Sequence, residues 1–382
     1  YLADIAISLS GAVSNILDVD APLPTLREIM AKLDAQLVIS DEEHCASARD
    51  VTSELAIEVC VLDALLSRAQ FASRTLPAIP SADAPATLVL TSGTSGVPKA
   101  AVISHANWEL RTQPQRLNDR WVSFQPPWHV LDRSLTWRVL RSGGTVVLHN
   151  RRHSFESLWP CFARAHPTLL LATPRFFAAL KAKHDAFRTH AGCSVEEADA
   201  HVRQLVGGNV TACRVSGAAP DAPTMAFLCR CLNAKSSDGY GSTEAHAIAS
   251  NGRVSGFTDI KLVPRPDLGV VGDAAYERGE VHVRGPTVFS GYWNEPDATR
   301  RAFDADGYFA TGDLAERPRN DLKRLQITGR TRNVVKLASG EYVSPEAVEE
   351  AIKTAVVGGT IAGSLLPSIR LIELVVDAVP GS

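Results

Sequence analysis

The chain has 382 residues, 45% of them hydrophobic and 21% charged, with a formal net charge of −3. That length accommodates about two or three domains and a large core. The charge gives no support for nucleic acid or an anionic membrane surface as partner, and no apolar run approaches the roughly 20 residues needed to span a bilayer. The chain opens on Tyr1 rather than Met, so an N-terminus upstream stays open. The seven cysteines are scattered, and Cys229-Arg230-Cys231 has neither CxxC spacing nor the second pair of a zinc site. They are expected to be reduced core thiols, and a reducing, cytoplasmic compartment is the expected location.

Leu26, Ile29, Met30 and Leu33 fall at helical spacing, and 35–40 then read as a strand. A helix near 51–69 and a strand at 86–90 continue the alternation, followed by Thr91-Ser92-Gly93-Thr94-Ser95-Gly96-Val97-Pro98-Lys99 and a strand at 100–103. Ser123–His129 is broken by Pro126 and Pro127; 145–148 read as a strand, 154–165 as a helix, and 168–172 as a strand. Pro174 opens a further helix, 187–209 are polar and loosely patterned, and the strand 212–216 runs into Gly217-Ala218-Ala219-Pro220. Repeated alternation predicts an α/β fold with a largely parallel sheet. From about 251, period-two segments such as Glu280–Gly285 and crowded turns predict a β-rich subdomain. After Gly329 a last small unit begins, with Ser344-Pro345-Glu346 as a helix start and Val348, Ala351, Ile352 and Ala355 as that helix's apolar face.

Five segments carry chemistry. The 91–99 loop is small, hydroxyl-rich and ends in Lys99, a composition suited to cradling phosphate. It is not a Walker A loop: Pro98 stands where the second glycine belongs, and no Ser or Thr follows Lys99. Asp238-Gly239-Tyr240-Gly241-Ser242-Thr243-Glu244 offers a ring to stack on a base, hydroxyls for phosphate and a carboxylate for Mg²⁺. Thr311-Gly312-Asp313 places an acid after a turn, suited to two vicinal hydroxyls. Gly329-Arg330-Thr331-Arg332 and 337–341 complete the set. Each has a plainer reading: a surface turn for 91–99, a core ring for Tyr240, a turn cap for Asp313, a solvated face for Arg330–Lys336.

Taken in order, these segments resemble the adenylate-forming superfamily: acyl-CoA synthetases, luciferase-like enzymes, peptide-synthetase adenylation domains and carboxylic acid reductases. The 91–99 loop looks like its phosphate loop, Tyr240–Glu244 like its YGxTE motif, 311–313 like its TGD motif and Gly329-Arg330 like its hinge. Ser216–Pro220, 238–245, 259–263 and 335–343 resemble the carboxylic acid reductase and long-chain acyl-CoA synthetase branch. The resemblance implies a large adenylate-forming domain over 1–326, of parallel-sheet and β-rich subdomains with an incomplete N-terminal end, then a small, truncated α+β domain over 327–382. It implies ATP, Mg²⁺ and CoA or phosphopantetheine as cofactors, a fatty or aryl carboxylic acid as substrate, and a thiol of CoA or of a carrier protein as acceptor. Fusion to carrier and reductase domains outside this chain is one arrangement it allows.

By the same resemblance, Thr91, Ser92, Gly93, Thr94, Ser95, Gly96 and Lys99 would hold the ATP phosphates. Gly217, Ala218, Ala219, Asp238, Gly239, Tyr240, Gly241 and Ser242 would hold the adenine side, and Thr243 would touch the α-phosphate. Glu244 would bind Mg²⁺, Asp313 and Arg330 would grip the ribose, and His129 would lie near the acyl carboxylate; Lys99, Thr243, Glu244 and His129 would be the catalytic set. The chain departs from the family's pattern at Arg332, often acidic there, and no lysine follows Lys353 to match the family's late catalytic lysine. Three rivals stay open: a long-chain acyl-CoA synthetase proper, a P-loop hydrolase or kinase, and an inactive nucleotide-binding fragment.

Overall fold

The computed structural model describes residues 1–69, 78, 80–91, 98–114, 116–149, 155–218, 220–336, 342–345 and 348. Two compact units emerge, Tyr1–Ile260 with His282–Ala310, and Lys261–Val281 with Thr311–Ser382.

In the first unit a five-stranded sheet runs in the order Arg253–Val254, His246–Ser250, Lys235–Ser242, Ala212–Ser216, Leu169–Ala172. The last three strands are parallel, and the first two are added antiparallel. Alternation along Leu169-Leu170-Leu171-Ala172 sends Leu170 and Ala172 into one core and Leu169 and Leu171 into another. The sheet is therefore buried on both faces, as parallel strands require. One face packs on helices Leu158–Ala165, Pro174–Ala191, Val195–Leu205 and Ala222–Leu232 through Phe162, Phe177, Leu180, Val202 and Leu228. The other meets Leu135 and Val139 of the helix Val130–Arg141, with Trp121 between.

A second sheet orders Ser14–Asn15, Pro85–Thr91, Lys99–Ser104 and Gly291–Tyr292. Here the expectation of a largely parallel arrangement needs correction. Pro85–Thr91 and Lys99–Ser104 form an antiparallel hairpin, with Thr91 opposite Lys99. A connection as short as the glycine-rich loop can only reverse the chain, because a parallel partner needs a long crossover.

Two further corrections concern helices. The helix expected near 51–69 is instead a helix Glu42–Thr52, a strand Glu58–Val61 parallel to Leu37–Ser40, and a helix Leu62–Ala69. Val59 and Val61 alternate at period two, but Leu62, Leu65 and Leu66 follow so closely that the run reads as one helical stripe. The stretch 187–209 is ordered: Pro174–Ala191 ends at Gly192 in a left-handed conformation, and Val195–Leu205 starts on a reciprocal cap. Ser194 Oγ accepts from the Glu197 N–H at 3.2 Å, and Glu197 accepts from the Ser194 N–H at 2.8 Å. Of the seven cysteines, Cys45, Cys213 and Cys231 are buried, but Cys229 is exposed; all seven are free thiols.

The second unit is β-rich, as its turns predict. Its strand segments belong to a sheet in the order Asp259–Val263, Tyr276–Arg284, Phe309–Pro318, Gln326–Arg330. Arg278 meets Glu316 at 2.9 Å, and Arg317 meets Glu277 at 2.7 Å, so neighbouring strands carry complementary charge. Ser344 donates its hydroxyl to the Thr328 carbonyl at 3.1 Å, and the Val348 N–H reaches the Ser344 carbonyl at 3.2 Å, a first helical turn. Most of the helix expected beyond Ser344 lies outside the described residues.

Candidate active site

Lys99 is the first residue of its strand, so the hairpin register fixes where the loop's cation emerges. The other end of the loop closes on Thr91, whose hydroxyl donates to the Lys99 carbonyl at 3.4 Å. Lys32 ties the segment down from outside, donating to the Pro98 carbonyl at 3.3 Å and meeting Glu295 at 2.7 Å. The strand Gly291–Tyr292 pairs with this hairpin, Tyr292 opposite Ala101. Lys99 Nζ consequently lies 4.9 Å from the Tyr292 ring centroid, a cation–π contact.

The same tyrosine reaches the second motif. Its phenol donates to Glu244 Oε1 at 3.0 Å. Burial, and then the Glu244 charge, push the phenol well above the usual tyrosine range, so it stays protonated and remains a donor. One ring thus spans a lysine and a carboxylate, with the phenol on the carboxylate and the π-face on the cation.

Glu244 lies in the turn between the strands Lys235–Ser242 and His246–Ser250. The register shifts at Tyr240/Gly241, and a Cβ on Gly241 would stand 2.0 Å from the His246 carbonyl oxygen, so only glycine fits there. Ser242 Oγ accepts from the Ala245 N–H at 3.1 Å. From below, Arg111 clamps the turn. Its guanidinium donates to the carbonyls of Thr243 (2.8 Å), Glu244 (2.8 Å) and Thr287 (2.6 Å and 3.1 Å). Arg111 is 3% exposed, and burial brings its pKa down to about 9 against the opposing pull of Glu244. The helix bearing it, His105–Arg111, starts on a Ser104–Asn107 capping box, and the Asn107 amide also donates to the Pro286 carbonyl at 2.6 Å. One short helix therefore anchors both the Glu244 turn and the 286–287 segment.

The other expected residues fall as follows. His129 caps the helix Val130–Arg141, its Nδ1 accepting from the Leu131 N–H at 3.2 Å, and burial pulls its imidazole below the ordinary histidine value. Asp238 is engaged with Asn251, whose N–H its carboxylate accepts and whose Oδ1 takes the Asp238 N–H at 2.9 Å. Gly217 turns at φ +89 directly after the strand Ala212–Ser216, and Ala218 beside it is exposed. Tyr240 and Gly239 lie on the strand that ends at Ser242. Ser92, Gly93, Thr94, Ser95, Gly96 and Ala219 lie outside the described residues.

In the second unit, Asp313 and Arg330 face each other across a strand pair, Asp313 Oδ1 to Arg330 Nε at 3.1 Å. Asp313 is buried, while Arg330 is half exposed. Gly312, at φ +76, makes the turn; the Asp313 N–H donates to Thr311 Oγ1 at 3.1 Å, and Thr331 Oγ1 donates to the Gly312 carbonyl at 3.1 Å. The TGD and hinge segments are one local construction.

Arg111 and Tyr292 escape sequence reading. An arginine in a helix's last turn reads as solvated, and a tyrosine between Gly291 and Trp293 reads as a core ring. Among the described residues no group of three or more His, Cys, Asp or Glu side chains could cage a metal. Glu244 supplies a single carboxylate, with Oε1 on Tyr292. That suits Mg²⁺ shared between one carboxylate and substrate phosphates better than an all-protein site.

The fold matches that of adenylate-forming adenylation domains. The chain belongs to the AMP-binding enzyme family, whose profile matches residues 1–293. It is 30% identical over 400 residues to a carboxylic acid reductase of Mycobacterium tuberculosis, covering 91% of this chain and 34% of that protein. It is 29% identical to a peroxisomal long-chain acyl-CoA synthetase of Arabidopsis thaliana, covering 69% of this chain and 43% of that one. The chain thus spans less than half the length of these relatives. Among solved structures it is similar to the adenylation domain of a carboxylate reductase from Mycobacterium chelonae, with TM-score 0.80 and 25% identity over 91% of this chain and 61% of that one. The adenylation domain of the Segniliparus rugosus carboxylic acid reductase, solved with AMP and a co-purified carboxylic acid, gives TM-score 0.79 at 25% identity, over 92% of this chain and 64% of that one. Among the described residues, no helix is long and apolar enough to cross a membrane.

Proposed function

We propose that this chain activates a carboxylic acid with ATP and passes the acyl group to a thiol. The observation that carries the reading is Tyr292 spanning Lys99 and Glu244, with the Glu244 turn clamped by a buried arginine. In the first step a carboxylate oxygen attacks the α-phosphorus in line, forming the acyl-phosphate bond while pyrophosphate leaves. In the second, a thiol sulfur attacks the acyl carbon and AMP departs with the bridging oxygen.

The protein's contribution is positional and electrostatic. Lys99, with Thr91 and the glycine loop, offsets phosphate charge as two anions meet. Thr243 donates to the α-phosphate, and His129 lies near the acyl carboxylate. Gly217, Ala218, Ala219 and Asp238–Ser242 take the adenine side, and the Asp313–Arg330 pair takes the ribose hydroxyls. Mg²⁺, when bound through Glu244, supplies further charge neutralisation at the phosphates. The thiol is that of CoA or of a phosphopantetheine arm; the Segniliparus rugosus didomain that pairs an adenylation domain with a carrier, similar at 25% identity, supports the latter. A functional boundary at 326/327 and a cytoplasmic setting belong to the same proposal.

The test is exchange of labelled pyrophosphate into ATP across a panel of acids. Exchange that requires both an acid and Mg²⁺ supports the reading. Acid-independent release of phosphate overturns it in favour of a hydrolase, and ATP binding without exchange favours an inactive nucleotide-binding module.

A further inference from the structure

The three parallel strands of the five-stranded sheet send their carboxyl ends to one edge. Ala172 leads into Thr173, Ser216 into Gly217 and Ser242 into the Glu244 turn, and a Cβ on Gly217 would stand 3.5 Å from Thr173 Cγ2. The strand Arg120–Ser123 lies alongside Leu169–Ala172 and runs the same way. At its start the Arg120 carbonyl accepts from the Thr168 N–H at 3.0 Å, and just past its end Gln125 Nε2 donates to the Leu171 carbonyl at 2.7 Å. Ligands of α/β sheets bind at such carboxyl edges. The loop 124–129 that follows Ser123 therefore borders the edge that carries Gly217 and Glu244.

One buried carboxylate braces that loop. Asp132 is 0% exposed and stands in the first turn of the helix Val130–Arg141, three residues after its cap, His129. An acid at that position commonly bonds the N–H of the capping residue. Here the His129 N–H goes instead to the Pro126 carbonyl at 2.9 Å, and Asp132 reaches further back. Its Oδ2 accepts from Ser123 Oγ at 2.6 Å and its Oδ1 from the Gln125 N–H at 3.3 Å, and the Tyr1 phenol donates to Oδ2 as well. One side chain thus joins the end of a strand, the start of the loop and the start of a helix. Pro126 and Pro127 stiffen the stretch between. Phe124 anchors it to the core, its ring 5.4 Å from Phe162 and 5.1 Å from Phe176, centroid to centroid.

The consequence falls on His129. Its Nδ1 accepts from the Leu131 N–H, so the neutral ring carries its proton on Nε2, and burial favours that neutral form. We propose that Asp132 is a positioning residue for acid activation: by bracing the loop 124–129 it aims the His129 Nε2–H at the carboxylate of the acid. The inference rests on the acid-activating reading and on the place of His129 within it, and goes beyond it in assigning Asp132 and the donor atom. A neutral imidazole donating to one carboxylate oxygen orients the group and leaves the other oxygen to attack the α-phosphorus. An imidazolium would compete by giving its proton to the nucleophile. Orientation of this kind is lost when the reacting group shifts by about 1 Å, which is why a brace behind the histidine matters.

Pyrophosphate exchange, with whichever of decanoate, benzoate and the other panel acids is exchanged fastest, tests this alongside calorimetry of ATP binding. Asp132→Ala should raise KM for the acid and cut kcat/KM for it by roughly ten- to a hundredfold, the scale of a misplaced reacting group, while ATP affinity is unchanged. Asp132→Asn keeps an acceptor for the Gln125 N–H and should recover part of the loss; Ser123→Ala removes one partner and should lose less in the same direction. In a His129→Ala background Asp132→Ala should cost little more, because nothing remains for it to position. A merely structural role would lower the folded fraction, leave KM for the acid unmoved and add its full cost in both backgrounds; either of the last two results overturns the proposal. Should Asp132→Ala not fold, Asp132→Asn and Ser123→Ala decide it on the same readouts. Exchange with no acid at all removes the acid-activating reading and this role with it. Ordinary exchange by the unaltered chain, with an unmoved acid KM in the variants, removes the role alone.

Discussion

In the first unit, Glu244 is held from a distance: a guanidinium from another helix takes the carbonyls of Thr243 and Glu244, and a tyrosine from another strand takes its carboxylate. In the second, Asp313 is held locally, by strand register against Arg330 and by hydroxyls of Thr311 and Thr331 within the same two turns. The difference is one of cost. A buried clamp excludes water and fixes the backbone, but its loss strands several polar groups. An ion pair whose cation is half exposed is weaker, because when the buried acid is removed solvent can take over the freed arginine. The Glu244 turn should therefore fail as structure, and the Asp313 pair should fail only as function.

The largest effect is expected from Arg111→Met. It leaves carbonyls of Thr243, Glu244 and Thr287 without their buried donor, so stability should fall by about 3–5 kcal/mol. Urea unfolding measures it, and a loss well under 1 kcal/mol would mean the clamp is incidental. Glu244→Gln separates side chain from backbone. Tyr292 still has an amide oxygen to donate to, so the midpoint should hardly move, whereas pyrophosphate exchange should drop by roughly two to three orders of magnitude. A mutant that melts early but exchanges normally would place Glu244 in the scaffold.

Asp313→Ala sharpens the other side. Two charge-assisted hydrogen bonds to ribose are worth about 1.5–3 kcal/mol each, so ATP affinity should fall more than tenfold while unfolding is unchanged. Unchanged affinity with a lowered melting point would make Asp313 a turn residue. A further effect concerns pH. Burial brings His246 from its ordinary value of 6.5 down to about 3 when folded, so above 6.5 it is neutral in both states and contributes nothing. Below 6.5 the unfolded chain takes up a proton that the folded chain refuses, so stability is lost as pH falls towards 3. His246→Asn, which tolerates the left-handed backbone at this position (φ +61), should flatten that stretch of the pH–stability curve; an unaltered slope would show that other groups set it.

The sequence was most legible where a candidate site segment is contiguous. Lys99, Tyr240–Glu244, Asp313 and Arg330 each announce themselves within a few residues, because turn chemistry and donor composition are local. Arg111 is 132 positions from Thr243, and Tyr292 is 48 from Glu244, so no local pattern distinguishes either from a solvated or core residue. The fold divides likewise. Strands flanked by glycine turns were readable, but the antiparallel sense of the hairpin at Lys99 depends on loop length, and the strand Glu58–Val61 was masked by the leucines after it. The helix Val195–Leu205 could have been read from Ser194 and Glu197, whose spacing is that of a capping box.

The most direct test of the central claim follows one oxygen atom. With a carboxylic acid labelled with oxygen-18 in its carboxylate, ATP, Mg²⁺ and a thiol, AMP recovered after turnover should carry one labelled oxygen on its phosphorus, because the carboxylate attacks there and thiolysis cleaves at the acyl carbon. Unlabelled AMP alongside thioester, or label appearing in inorganic phosphate, would contradict acyl-adenylate formation by this chain.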